Sequence, residues 1–131
     1  MSEQISTPEK VSREQALAMY RKFVERGITS PDALDLNDPE VIEANKLFEK
    51  WDAQESVKGD FERHNFEKTK FYVDAGFTDS NYLGDVLGWL FQDAGDIEKQ
   101  PDNPTRVQLR SDYAKEIKKI RDLLGLATGG N

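Results

Sequence analysis

Residues 71–98 read FYVDAGFTDSNYLGDVLGWLFQDAGDIE, and the fold turns on this stretch. It carries six acidic residues, Asp74, Asp79, Asp85, Asp93, Asp96 and Glu98, and no Lys or Arg. Among them stand Tyr82, Leu83, Val86, Leu87, Trp89, Leu90 and Phe91, so the most apolar part of the chain is also its most acidic. Apolar side chains surround a helix drawn from Thr78 or Asp79 to about Ala94, except for a strip through Asp85, Gln92 and Asp96. That pattern predicts a largely buried helix, the third of the chain. Gly84 and Gly88 lie inside it, and each costs a helix about 1 kcal/mol relative to Ala. Their four-residue spacing puts both on one side. The expectation is close packing against a neighbouring helix, with a groove for a partner helix or an apolar ligand as the functional counterpart.

Outward from this stretch, helix starts are marked by pairs of a capping residue and proline: Thr7-Pro8, Ser30-Pro31, Asp38-Pro39 and Asn103-Pro104. The capping side chain accepts from orphan amides, and proline in the first turn has no amide to leave unpaired. A first helix starts at Ser12, with Gln15 placed for a capping box. It lines up Ala16, Leu17, Tyr20, Phe23 and Val24 and stops at Gly27. A second runs from Pro39 to about Ala75, with a candidate break at Gly59. A fourth runs from Pro104 to Gly125 and presents Leu109, Tyr113, Ile117 and Ile120. No alternating strand pattern occurs. The predicted fold is all-α, one bundle of four principal helices over residues 11–126, with flexible tails at 1–10 and 127–131.

On the second helix, Phe61, Phe71 and Tyr72 fall on one side, while Phe66 and Val73 lie well round from them. If that helix is peripheral, Phe66 and Val73, extended by Phe77, form an exposed apolar strip. These three are the expected partner-binding residues.

Composition narrows the chemistry. A net charge of −7 opposes general nucleic-acid binding, which needs a basic footprint. Residues 99–131 hold seven bases and four acids, but Asp112, Glu116 and Asp122 interleave with Lys115, Lys118, Lys119 and Arg121, as on a solvated helix face. Cysteine is absent, which removes thiolate metal sites and thiol nucleophiles. The first ten residues have no apolar core of the kind a signal peptide needs, and no apolar run reaches membrane-spanning length; the expected location is cytoplasmic.

Candidate sites are few. His64 is the one histidine, with Asp60 and Glu67 at helical spacing, but the Glu-x-x-His pairs of di-iron bundles are missing and no metal is expected. Residues 74–85 are rich in Asp and Asn, yet Asp79 stands where a calcium loop needs glycine and Asp85 where it needs Glu. Asp79-Ser80 resembles the Asp-Ser pair that opens a helix in acyl- and peptidyl-carrier proteins. Asn81, however, takes a position those families give to an apolar residue, and helix capping is the reading kept. Neither a Gly-x-Ser-x-Gly elbow nor a phosphate loop is present. The sequence therefore leads to a non-enzymatic acidic protein acting by protein–protein binding: an adaptor, inhibitor, immunity-type or assembly factor. The partner is a protein, with a second copy of the chain as one candidate; no cofactor, nucleic acid or membrane is implied. The alternative is a small-molecule-binding helical domain with an apolar pocket beside the third helix.

Overall fold

The cap-and-proline signals recur as helix starts in the structure, a computed structural model that describes residues 10–125. Ser12 Oγ accepts from the Gln15 amide at 3.0 Å and Gln15 Oε1 accepts from the Ser12 amide at 2.7 Å, closing the capping box of α1 (Arg13–Glu25). Ser30 caps a single 3-10 turn, Pro31–Ala33. Asp38 caps α2 (Pro39–Ser56) and Asn103 caps α6 (Pro104–Leu123), each with proline in the first turn. Thr7-Pro8, the expected N-terminal tail before Lys10 and the expected C-terminal tail lie outside the described residues.

The fold is all-α, and no strand occurs among the described residues. The expected second helix is three helices. After α2 come α3 (Phe61–Thr69), capped by Asp60, and α4 (Phe71–Ala75). Lys70 makes the second break: its φ of −93° and ψ of 5° leave the helical region while its amide still bonds the Phe66 carbonyl at 3.2 Å. The helix is interrupted here without losing that hydrogen bond. α4 ends at Gly76, whose φ of 114° lets the Phe77 amide reach back to the Tyr72 carbonyl at 3.1 Å. The last long pair begins with α5 (Ser80–Glu98), which continues through Gly95 beyond its expected end at Ala94. Arg110 of α6 closes the far end of α5 by donating to the carbonyls of Ile97 at 3.1 Å and Gln100 at 2.7 Å, and it also pairs with Asp102.

α1 packs on α2 and α4, α5 packs on α6, and α3 touches α2, α4 and α5. The short pair α3–α4 is thus the middle of the molecule. This placement corrects the expected partner strip: Phe66, Val73 and Phe77 are all buried, Phe66 at 3% exposure. Phe66 meets Tyr113 of α6 at 4.6 Å between ring centroids, and Phe77 meets Tyr20 and Tyr72. Phe71, on the other side, packs against Tyr20, Phe48 and Trp51. A central segment buries both of its sides, which a peripheral helix cannot do. Phe61, placed in the core by the sequence pattern, is instead 76% exposed, because the turn before it detaches it from the stripe of α2.

Ion pairs bind the layers at their edges. Asp74 of α4 receives Arg13 of α1 at 2.9 Å, Lys70 at 2.9 Å and Lys119 of α6 at 3.3 Å. Burial works to raise the Asp74 carboxyl, but the hydrogen bonds and charges of Lys70 and Arg13 outweigh it and hold the group below the ordinary range. Arg63 of α3 pairs with Asp112 of α6 at 2.8 Å.

Candidate partner-binding surface

α5 buries Tyr82, Leu83, Val86, Leu90 and Ile97 toward α3 and α6. At about 100° per residue, Gly84, Gly88 and Gly95 fall within about 40° of one another, opposite that buried stripe. All three are exposed, and a Cβ built on any of them has no neighbour within 4 Å among the described residues. The expected close packing of Gly84 and Gly88 is therefore corrected: they face open space. α5 is covered on one side only, and the nearly all-round apolar pattern came from Trp89 and Phe91, which the bundle leaves 49% and 51% exposed.

Phe91 stands along one edge of the glycine stripe, and Asp85, Gln92 and Asp96 along the other. All four are exposed. Among the described residues, neither Asp85 nor Asp96 has a basic side chain within ion-pair distance, and Glu98 reaches Arg110 only at 3.9 Å. Asp93, nearer the core, accepts from Asn65 Nδ2 at 3.0 Å; burial, then the neighbouring Asp96, push its carboxyl up. At the helix head, Asp79 Oδ2 accepts from the Tyr82 amide at 3.0 Å, which makes the Asp79-Ser80 pair a helix start.

Beside Trp89 runs a groove of about 420 Å³, walled by Phe48, Tyr72, Tyr82 and Trp89, with Asp32 and Lys68 on its margins. Phe48 and Tyr72 stack at 5.7 Å with 18° between their planes. This is an open aromatic recess beside α5, with Asn65 and Thr69 also in its lining.

A larger cleft, about 710 Å³, opens between the start of α1, the end of α2 and α3, and contains His64. His64 Nε2 lies 2.7 Å from Asp52 Oδ1, and Lys68 holds the other carboxylate oxygen at 3.0 Å. Burial raises the Asp52 carboxyl, and the bonds from His64 and Lys68 more than reverse this. The companions suggested by spacing do other things: Asp60 caps α3 and Glu67 faces Arg13 at 3.2 Å. Among the described residues, no group of three or more His, Asp or Glu is arranged to hold a metal ion. Arg13, on the cleft wall, lies over Trp51 and Phe71 and is committed to Glu67 and Asp74. The charges here tie helices together.

The true partner of His64, Asp52, was hidden from the sequence because it lies across a helix break. Trp89 and Phe91 were visible as residues but not as exposed ones. The signal that marks the outer face of α5 is the coincidence of glycines, Phe91 and unopposed acids. Compared with protein-family models, with curated proteins and with solved structures, the chain has no match.

Proposed function

We propose that this chain is a non-enzymatic binding protein, of the adaptor, inhibitor, immunity or assembly-factor kind, that receives a protein partner on the outer face of α5. The observation that carries the reading is the open glycine stripe beside a half-exposed Phe91. Three helical glycines cost about 1 kcal/mol each and gain no packing from the described residues; a partner backbone laid against them would supply it. Phe91 suits an anchor at the edge of such a contact, whereas Trp89 lies beyond the acidic strip, about 120° round the helix from the glycines, beside Tyr82. Asp85, Asp96 and Glu98 favour a partner with basic residues at its margin, whereas pairing α5 with a second copy of itself would set acid against acid.

No helix among the described residues is long and apolar enough to cross a membrane, and a cytoplasmic setting belongs to the proposal. The aromatic groove favours a second reading, in which a small ligand occupies the recess beside α5.

The test is affinity capture from the native lysate with quantitative mass spectrometry, comparing the wild type with Phe91→Lys, Gly88→Gln and the remote control Val57→Lys. The expected result is a protein retained by the wild type and by Val57→Lys and lost from both α5 variants. Equal retention by all four would overturn the reading.

A further inference from the structure

The groove of Phe48, Tyr72, Tyr82 and Trp89 has a chemistry of its own. Tyr72 and Tyr82 lie 6.4 Å apart with 68° between their planes, and Tyr82 and Trp89 6.5 Å apart with 75° between theirs. Successive rings set nearly at right angles make walls facing different directions. An aromatic face carries negative electrostatic potential, so such a recess attracts a cation that has little hydration to lose. Tyr82 is buried while Trp89 stands half in solvent, so the recess has a floor and an open rim.

The formal charges at the rim act in the same direction. Asp32 lies on the margin in the 3-10 turn, exposed and with no basic partner among the described residues. Burial most of all, then Tyr72 and the carboxylates of Asp32 and Asp85, push the Tyr82 phenol upward, so both carboxylates act on this ring. Lys68 opposes them from the other margin, but Asp52 holds its ammonium at 3.0 Å and offsets its charge.

We infer that this groove is a recognition site for a cationic side chain, Arg or Lys, presented by the protein partner that docks on α5. The inference rests on the proposed partner-binding reading, since Trp89 belongs both to that helix and to the groove wall. The planar guanidinium of Arg suits a stack on Trp89 with its edge toward Asp32, and the alkyl stem would lie along Phe48 and Tyr72. The acidic margin of α5 and the aromatic groove would then read the same partner feature, a basic residue beside an apolar anchor.

The test uses nuclear magnetic resonance on the full chain, titrated with N-acetyl-arginine methylamide, N-acetyl-lysine methylamide, tetramethylammonium, and the neutral analogue N-acetyl-norleucine methylamide. Saturable shifts of the Trp89 indole and Tyr82 resonances are expected with the arginine or lysine probe. The norleucine probe should bind about two- to fivefold more weakly or not at all, the range an exposed cation–π contact supplies. Asp32→Asn, at an exposed position, should weaken the cationic probes without altering the fold, and Trp89→Leu should remove the response at Tyr82. Equal binding of the norleucine probe, or no saturable shift with any probe, overturns the inference. Binding of tetramethylammonium alone also overturns it, in favour of a free small cation as ligand. Phe91→Lys separates the two readings: it abolishes partner capture but leaves the arginine response intact. A groove that fails while capture still depends on Phe91 sinks only this inference.

Discussion

Phe66 of α3 lies against Tyr113 of α6 with ring centroids 4.6 Å apart, and this contact joins the middle of the bundle to its last helix. Replacing Phe66 by Ala removes a buried ring from a site that α3 and α6 both enclose. The expected loss is about 3–5 kcal/mol. Phe61→Ala, five residues earlier in the same chain segment, removes a largely exposed ring and should change stability by no more than about 0.5 kcal/mol. Urea denaturation of the two variants checks the contrast; similar losses would show that α3 is rotated from the orientation described.

The glycine stripe predicts a gain. Gly84→Ala and Gly88→Ala each place a methyl group in open space on a helix interior, and each should stabilise the chain by about 1 kcal/mol. The double variant should melt several degrees higher than the wild type, as expected for a domain of this size. On the proposed reading, partner capture by the same variant should fall, because the methyls would occupy the space proposed for a partner backbone. A destabilised double variant would mean that another helix lies against the stripe.

Gly76 predicts the opposite sign. Its φ of 114° is costly for any residue with a Cβ, and the added atom would stand 3.1 Å from Val24 Cγ1. Gly76→Ala should destabilise by about 1–2 kcal/mol from the backbone alone. Thermal melts of Gly76→Ala beside Gly88→Ala should therefore move in opposite directions.

Asp74 gives the chain a dependence on acid. Its carboxyl is held below its unfolded value, so its stabilising effect is complete above the unfolded pKa and is lost as pH falls through the folded one. Asp74→Asn should cost about 2 kcal/mol at neutral pH, less than a fully buried pair because water reaches part of the network. The difference between wild type and variant should shrink in acid below about pH 4, near the ordinary carboxyl range. A gap that stays constant from neutral to acid pH would remove Asp74 from this role.

Helix starts were legible in the sequence because capping is local: Ser12 with Gln15, Asp38 with Pro39 and Asn103 with Pro104 act within one turn. The division of residues 39–75 was harder to read. Lys70 breaks the helix with no glycine or proline to announce it, so one wheel cannot place Phe66 and Val73 together, and the turn before Phe61 sets that residue apart from α2. The candidate surface was half legible. Glycines, acids and aromatics of α5 could all be counted, but whether Gly84 meets a neighbour depends on how far α3 and α6 extend around the helix. That is a property of packing between distant segments, which periodicity within one segment does not contain.

The central position of α3 and α4 also bears on how the molecule comes apart. The α1–α2 pair and the α5–α6 pair look like two hairpins, yet each uses the short middle segments as a wall. Opening the middle strips both pairs together, so neither hairpin is a unit that can persist without the other. Amide hydrogens in α1 and α6, far apart along the chain, should then exchange through one shared opening event.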